Sequence, residues 1–205
     1  MAQFRTNRAF DVIFICFLVG LLSLATVNRV AVGDWVFFLT YHPSTEADQI
    51  ATDAGLSSEG RRLFFRTDPQ FVSKTEVTSQ CAIEDLGCIT SGGRVYIYDA
   101  PGQHNQTVVT AAHEMLHLAY RRLSSSQKQH LASLIDQGIS QNAFNGIKDE
   151  LQGFSNPDDI HDEAHSLLGS EYSHLPPELD TYYTNYFSDR SKVVAAEAAS
   201  QSSNP

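Results

Sequence analysis

The feature that most constrains this chain is an H-E-x-x-H pentapeptide, His113 to His117, within a stretch (107–123) whose pattern predicts one helix. Residues four apart on a helix share a face, with Cβ atoms about 5–6 Å apart. Both imidazoles can therefore reach one metal ion at about 2.1 Å. The pattern therefore predicts a zinc site. Glu114 is turned by about 100° around the helix axis from His113, which places its carboxylate beside the metal's open position, where a general base is needed.

The residues around this motif predict a buried helix. Most of its circumference is apolar, and its polar side chains fall on one stripe, formed by Thr110, His113, His117 and Arg121. A polar stripe on a buried helix must face something polar. This favours metal binding over the alternative, a coincidental pair of core histidines.

A second helix, predicted over 158–168, supplies a candidate for the third ligand. Its buried face is defined by the i, i+4, i+7 spacing of Ile160, Ala164 and Leu167. Glu163 falls on that same face. Because a carboxylate at a core-facing position is costly unless it is paired or bound to a metal, Glu163 is the expected third ligand.

Two other residues remain open as alternatives for that ligand. Glu171 lies past Gly169, the expected stop of the helix, and would either bind the metal or orient one of its ligands. His165 and Asp162 point away from the helix face of Glu163. They would lie in solvent or form hydrogen bonds to a metal ligand. We rank Glu171 before His165.

The N-terminal segment predicts a membrane anchor. The apolar run 9–27 is close to the roughly 20 residues that cross a bilayer as a helix. Arg5 and Arg8 before it favour a single-pass topology, with the N-terminus inside and the domain extracytoplasmic. A signal peptide is the alternative, which would leave a secreted protein if residues 1–25 were cleaved.

The length suits such an appendage plus one domain of ordinary size. We expect five regions along the chain: a cytoplasmic N-terminus over 1–8, the anchor over 9–27, a juxtamembrane segment over 28–43, the metal-binding domain over 44–190, and a helical-to-disordered tail over 191–205.

The charge of the chain argues against nucleic acid as a partner. The formal net charge is −10, whereas phosphate binding needs clustered Lys and Arg. The expected partners are therefore the membrane, through the N-terminal run, and whatever the metal site binds.

Cys81 and Cys88 form a close pair with three possible interpretations. They could be a disulfide, half of a metal site, or two free thiols. Export of the domain would favour the disulfide.

The expected fold class is α+β, mostly helical, with a small sheet before the metal helix. Two β-prone runs, 89–90 and 94–99, flank a Ser-Gly-Gly turn, which is typical of a hairpin. Residues 70–79 are polar and are expected to be irregular.

With the H-E-x-x-H helix and a downstream glutamate, the chain resembles the gluzincin metallopeptidases, whose third ligand is a Glu on a later helix. Their N-E-x-x-S-D motif is partly echoed by residues 162–166, with the final Asp missing. The metzincin pattern fails, because Tyr120 and Leu123 stand where it requires Gly and His. The resemblance implies a zincin-like domain, one Zn²⁺ and a peptide or protein substrate. Peptidases of this type commonly place an edge strand before the H-E-x-x-H helix, to which a peptide can add. The alternative is that the hairpin only forms part of the sheet.

A longer resemblance covers residues 44–188. Small membrane-anchored H-E-x-x-H proteins of bacteria with reduced genomes, whose function is unsettled, carry E-x-H-S-x-x-G-[TS]-E followed by L-P-P-E-L-x-x-Y-Y-x-x-Y-F. These patterns look similar to residues 163–171 and 175–187 here. This resemblance implies that the second helix belongs to the site.

The leading functional prediction is a membrane-anchored, extracytoplasmic zinc metallopeptidase. Its zinc would be held by His113, His117 and Glu163, with Glu114 as general base. The alternative is a non-catalytic, metal-stabilised binding module at the cell surface. Glu114 separates the two, since a purely structural site needs no base beside an open position.

Overall fold

The computed structural model describes residues 14–16, 29–82, 85–141, 143–144 and 146–202, and divides into two compact units, Met1–His42 and Pro43–Pro205. Within the first unit, helix α1 spans Arg29–Phe38 and exposes Trp35. The predicted anchor over 9–27 lies outside the described residues, apart from 14–16. In the described part of the chain, no helix is long and apolar enough to cross a membrane.

The second unit is mostly helical with one small sheet, which confirms the predicted α+β class. Its elements follow in chain order: α2 (Thr45–Asp53), α3 (Ser58–Arg66), β1 (Gln70–Val72), α4 (Lys74–Gln80), β2 (Gly87–Ile89), β3 (Val95–Tyr98), α5 (His104–Arg121), α6 (Ser125–Ser140), α7 (Ile147–Glu150), a 3₁₀ turn (Leu151–Gly153), α8 (Pro157–Ser170), α9 (Pro177–Tyr183) and α10 (Ser191–Ser202).

Serine side chains define where several helices begin. Ser44, Ser57, Ser73 and Ser124 each accept a hydrogen bond from the third residue after them, at the starts of α2, α3, α4 and α6. Such caps satisfy backbone N–H groups that have no partner within the helix. Asn156 caps α8 in the same way, through the N–H of Asp158.

The sheet has the strand order β1-β3-β2. β2 and β3 pair antiparallel with Ile89 opposite Val95, as expected of a hairpin, and β2 lies at an edge. The prediction of an irregular segment over 70–79 is wrong, since β1 pairs parallel with β3 and α4 follows it. A three-residue strand with a distant partner leaves no periodic signal in the local sequence.

Helix α5 lies at the centre of this unit and packs against α2, α3, α8, α10 and both strands of the hairpin. Most of its apolar side chains are buried, with Ala112, Met115 and Leu116 fully enclosed. The polar residues Thr110, His113, His117 and Arg121 lie on one face of the helix, as the sequence predicts.

Gly169 does not end its helix, because α8 continues to Ser170. Its role lies in packing: a Cβ at this position would collide with the side chains of Leu116 on α5 and Tyr183. The absence of a side chain thus allows α8 to approach α5 closely.

The predicted tail begins as a packed helix. Val193 and Ala196 of α10 are buried, and α10 packs against α5 and α8. Residues 203–205 lie outside the described part of the chain. The predicted disulfide is present between Cys81, at the end of α4, and Cys88, on β2.

Candidate metal centre

The polar stripe of α5 lines a cleft of about 620 Å³. β2 borders the cleft, and Gly87 sits so close to Thr110 and Glu114 that a Cβ there would meet both side chains. α10 contributes Glu197, Ser200 and Gln201 to the same cleft. The site is thus assembled from four elements, since α8 contributes Glu163.

Three side chains converge in this cleft. The Nε2 atom of His113 lies 3.5 Å from one carboxylate oxygen of Glu163, and the Nε2 atom of His117 lies 3.6 Å from the other. One ligand atom from each residue falls within 4.8 Å of the others. This group could hold a metal ion.

The outer nitrogen of each imidazole faces a carboxylate. The Nδ1 atom of His117 is hydrogen bonded to Asp162 at 2.8 Å, and that of His113 lies 3.5 Å from Glu171. A carboxylate that accepts the Nδ1 proton fixes the tautomer in which Nε2 carries a free lone pair. Asp162 and Glu171 therefore orient the two histidines toward Glu163.

The spacing of the donors fits a small tetrahedral cation. Ligands at about 2.0–2.2 Å from a tetrahedral zinc lie roughly 3.4 Å apart, close to the two separations between Glu163 and the histidines. Two nitrogens and one oxygen, with no thiolate, form a set typical of catalytic zinc sites. Of the three sequence candidates for the third ligand, Glu163 is the one that faces both Nε2 atoms.

The pKa of His113 reflects its acidic surroundings. Burial acts to lower this pKa, but the contact with Glu171 and the charges of Glu114, Glu163 and Glu171 outweigh it and raise the pKa to about 9. A positive charge at this position is therefore strongly favoured, and a metal cation would satisfy the same carboxylates.

Glu114 lies beside this group and has a different environment. It is 6% exposed and lines the cleft. Among the described residues it makes no hydrogen bond or ion pair. Burial raises its pKa, which favours a carboxylate that can take up and hold a proton.

His165 is not part of the metal-binding group. The expectation that His165 points toward solvent or orients a ligand is wrong. This side chain is fully buried, its Nε2 lies 3.2 Å from the hydroxyl of Tyr182, and its ring stacks on Tyr183. Burial, together with the charges of His117 and His113, lowers its pKa to about 3. This residue is a neutral packing element of the interior.

The sequence did not reveal that α10 lines the cleft. Glu197, Ser200 and Gln201 recur at i, i+3 and i+4, which is a helical polar face. That spacing could have been noticed, but the Ala- and Ser-rich composition around it predicted a tail.

A scan against models of protein families finds no match to this chain, and neither does a search of the curated proteins or of the solved structures.

Proposed function

We propose that this protein is a zinc-dependent metallopeptidase. The observation that carries the proposal is the convergence of His113, His117 and Glu163 beside Glu114, a buried carboxylate that faces the same cleft. A metal site of purely structural use has no need of an unpartnered base at its open side.

A zinc ion held by these three residues would lower the pKa of a water molecule toward about 7 and polarise the carbonyl of the scissile peptide bond. Glu114 accepts the proton of the attacking water and then returns it to the leaving amine nitrogen. The raised pKa of this carboxyl group suits both steps. Asp162 and Glu171 keep the imidazoles in position throughout.

The edge strand β2 supports a peptide as the substrate. It lies at the edge of the sheet and borders the cleft beside Glu114. An extended peptide can pair with an exposed strand edge through main-chain hydrogen bonds. Such pairing would place a peptide bond across the floor of the cleft.

The cellular location belongs to the same proposal. Arg5, Arg8 and the apolar run 9–27 support a membrane anchor with the N-terminus inside. The Cys81–Cys88 disulfide favours an oxidising compartment for the larger unit. Both features support an extracytoplasmic domain.

The test is cleavage of casein and a peptide library by the purified full chain loaded with zinc. Glu114→Gln should retain zinc near one ion per chain, because all three ligands remain, while turnover is lost. Cleavage that persists in Glu114→Gln, or zinc-loaded wild type that cleaves nothing, would contradict the proposal and favour a metal-stabilised binding module.

A further inference from the structure

We propose that helix α1 binds the surface of a lipid bilayer through a stripe of exposed apolar side chains. This contact would add to the anchor over 9–27, so the inference rests on the proposed membrane location and names a second surface that touches lipid. It is independent of the metal centre.

The exposed stripe of α1 is formed by Val32, Trp35, Val36 and Leu39. Their spacing of i, i+3, i+4 and i+7 places the four side chains on one face of the helix. Each of them is between 41% and 65% exposed. The N–H of Leu39 donates to the carbonyl of Val36, which continues the helical turn beyond Phe38. One side of α1 is thus a continuous apolar surface.

The opposite side of α1 has the reverse character. Asp34 lies there and is buried, and Phe37 beside it is half-buried. A helix at the surface of a water-soluble domain exposes its charged side and covers its apolar stripe. Because α1 does the opposite, its stripe requires an apolar partner from outside the described residues.

Exposed apolar side chains are concentrated in the N-terminal unit. Phe14, Ile15 and Val30 are exposed there in addition to the stripe, whereas in the described part of the larger unit the one large apolar side chain with high exposure is Phe154. Contiguous apolar surface of this kind marks an interaction site, whereas a single exposed apolar residue does not.

The position of α1 in the chain identifies lipid as the partner. The apolar run 9–27 ends two residues before Arg29, where α1 begins. If that run crosses the bilayer, α1 follows at the membrane surface. Tryptophan is enriched at that interface, and Trp35 lies on the stripe. A helix of this kind lies in the plane of the interface, with its apolar side buried about 5–10 Å into the boundary between headgroups and acyl chains.

The charges of α1 indicate which property of the lipid matters. They are Arg29, at the start of the helix, and the buried Asp34. The stripe carries neither Lys nor Arg, so attraction to anionic headgroups contributes little to binding. Burial of apolar surface should therefore drive the contact, with neutral lipid as good a partner as anionic lipid.

The test uses the fluorescence of Trp35, which is the one tryptophan of the chain. The full chain is reconstituted into phosphatidylcholine vesicles, and flotation confirms that it stays with them. Acrylamide should quench Trp35 several-fold less than it quenches N-acetyltryptophanamide. Lipids with a nitroxide just below the headgroup should quench it more than lipids with a nitroxide at the end of the acyl chain. Replacing part of the phosphatidylcholine with phosphatidylglycerol should leave the quenching unchanged.

Val36→Asp should restore quenching by acrylamide and remove quenching by the shallow nitroxide, because it places a charge on the stripe. The chain should still float, since the run 9–27 is intact. Val30→Asp is the matched control: Val30 is 51% exposed, against 53% for Val36, but lies on the side of α1 opposite the stripe. Both Val30→Asp and the apolar replacement Val36→Leu should behave like the wild type.

Free quenching of wild-type Trp35 by acrylamide, in a chain that floats, would overturn the inference and leave the anchor standing. A Trp35 that is shielded from acrylamide but unquenched by either lipid would show that protein, such as a second copy of the chain, covers the stripe, and would also overturn it. A chain that does not float would contradict the proposed membrane location and, with it, the contact of α1 with lipid.

Discussion

The two histidines of this site are each held by a carboxylate on the nitrogen opposite the metal position. Asp162 binds Nδ1 of His117, and Glu171 lies against Nδ1 of His113. These contacts set the tautomer and orientation of each ring in the metal-free chain. The carboxylates thus divide into one that faces the metal position, Glu163, and two that orient its partners.

This division predicts a ranking of zinc affinities. Glu163→Ala removes a ligand and its charge and should leave little zinc bound. Glu171→Gln and Asp162→Asn should each weaken binding by roughly 10–100-fold, as is typical of residues that orient a ligand. Competition with a chromophoric chelator measures all three.

Asp159→Asn is the control for these variants, since Asp159 lies on the same helix and is exposed. It should bind zinc like the wild type. If Glu163→Ala kept its zinc while Glu171→Gln lost it, Glu171 would be the third ligand.

The burial of His165 predicts an acid-sensitive fold. Its pKa is about 3 in the folded chain, against 6.5 for the ordinary side chain. Between these values the unfolded chain binds a proton that the folded chain does not, so stability falls as the pH falls through this window. The contribution approaches about 1.4 kcal/mol per pH unit.

Urea unfolding of the metal-free chain from pH 7 to pH 4 measures this dependence. His165→Asn should be less stable at neutral pH but should show a shallower loss on acidification. His130→Asn, at an exposed position on α6, should retain the slope of the wild type. Equal slopes for His165→Asn and the wild type would show that His165 does not cause the acid sensitivity.

At the scale of elements, the contact between α5 and α8 determines whether the site forms. Both histidines lie on α5, and both Asp162 and Glu163 lie on α8. Gly169 permits the close approach of the two helices beside Leu116. Packing and the proposed metal binding are therefore coupled through this interface.

Gly169→Ala should destabilise the chain by about 1–3 kcal/mol, because the new methyl group overpacks a filled interface. It should also weaken zinc binding by displacing Glu163. Gly153→Ala is the matched control, since a Cβ there meets no atom within 4 Å. Chemical unfolding monitors both variants, and equal stability of the two would contradict this account of the interface.

The sequence predicted those helices and turns that are determined by residues close together in the chain. The i, i+4 spacing of His113 and His117 and the apolar pattern around them located the metal helix, and the face of α8 identified Glu163. The turn at residues 91–93 located the hairpin. Each of these signals lies within one turn or one helix face.

What the sequence did not predict depends on long-range contact. The parallel pairing of β1 with β3 arises only when separate elements pack together. Which of the two histidines Glu171 faces also depends on that packing. Gly169 was expected to end a helix, because its packing role depends on Leu116, which is distant in sequence. The sequence also did not predict that α10 lines the cleft. Because only Val193 and Ala196 of this helix are buried, its apolar pattern is too weak to indicate a packed helix.

At the scale of the whole molecule, the proposed anchor and the disulfide predict one topology. The chain should remain with the membrane fraction, and protease added to intact spheroplasts should digest the unit Pro43–Pro205. An immunoblot against this unit measures both. A cytoplasmic marker that remains intact is the control, and protection of the larger unit until lysis would contradict an extracytoplasmic domain.

We expect His113, His117 and Glu163 to hold a zinc ion together. Crystals of the zinc-loaded full chain, measured on either side of the zinc absorption edge, would locate that ion. One anomalous peak should lie at about 2.0–2.2 Å from Nε2 of both histidines and from the Glu163 carboxylate. A peak between Nδ1 of His113 and Glu171, or no peak in the cleft, would contradict this expectation.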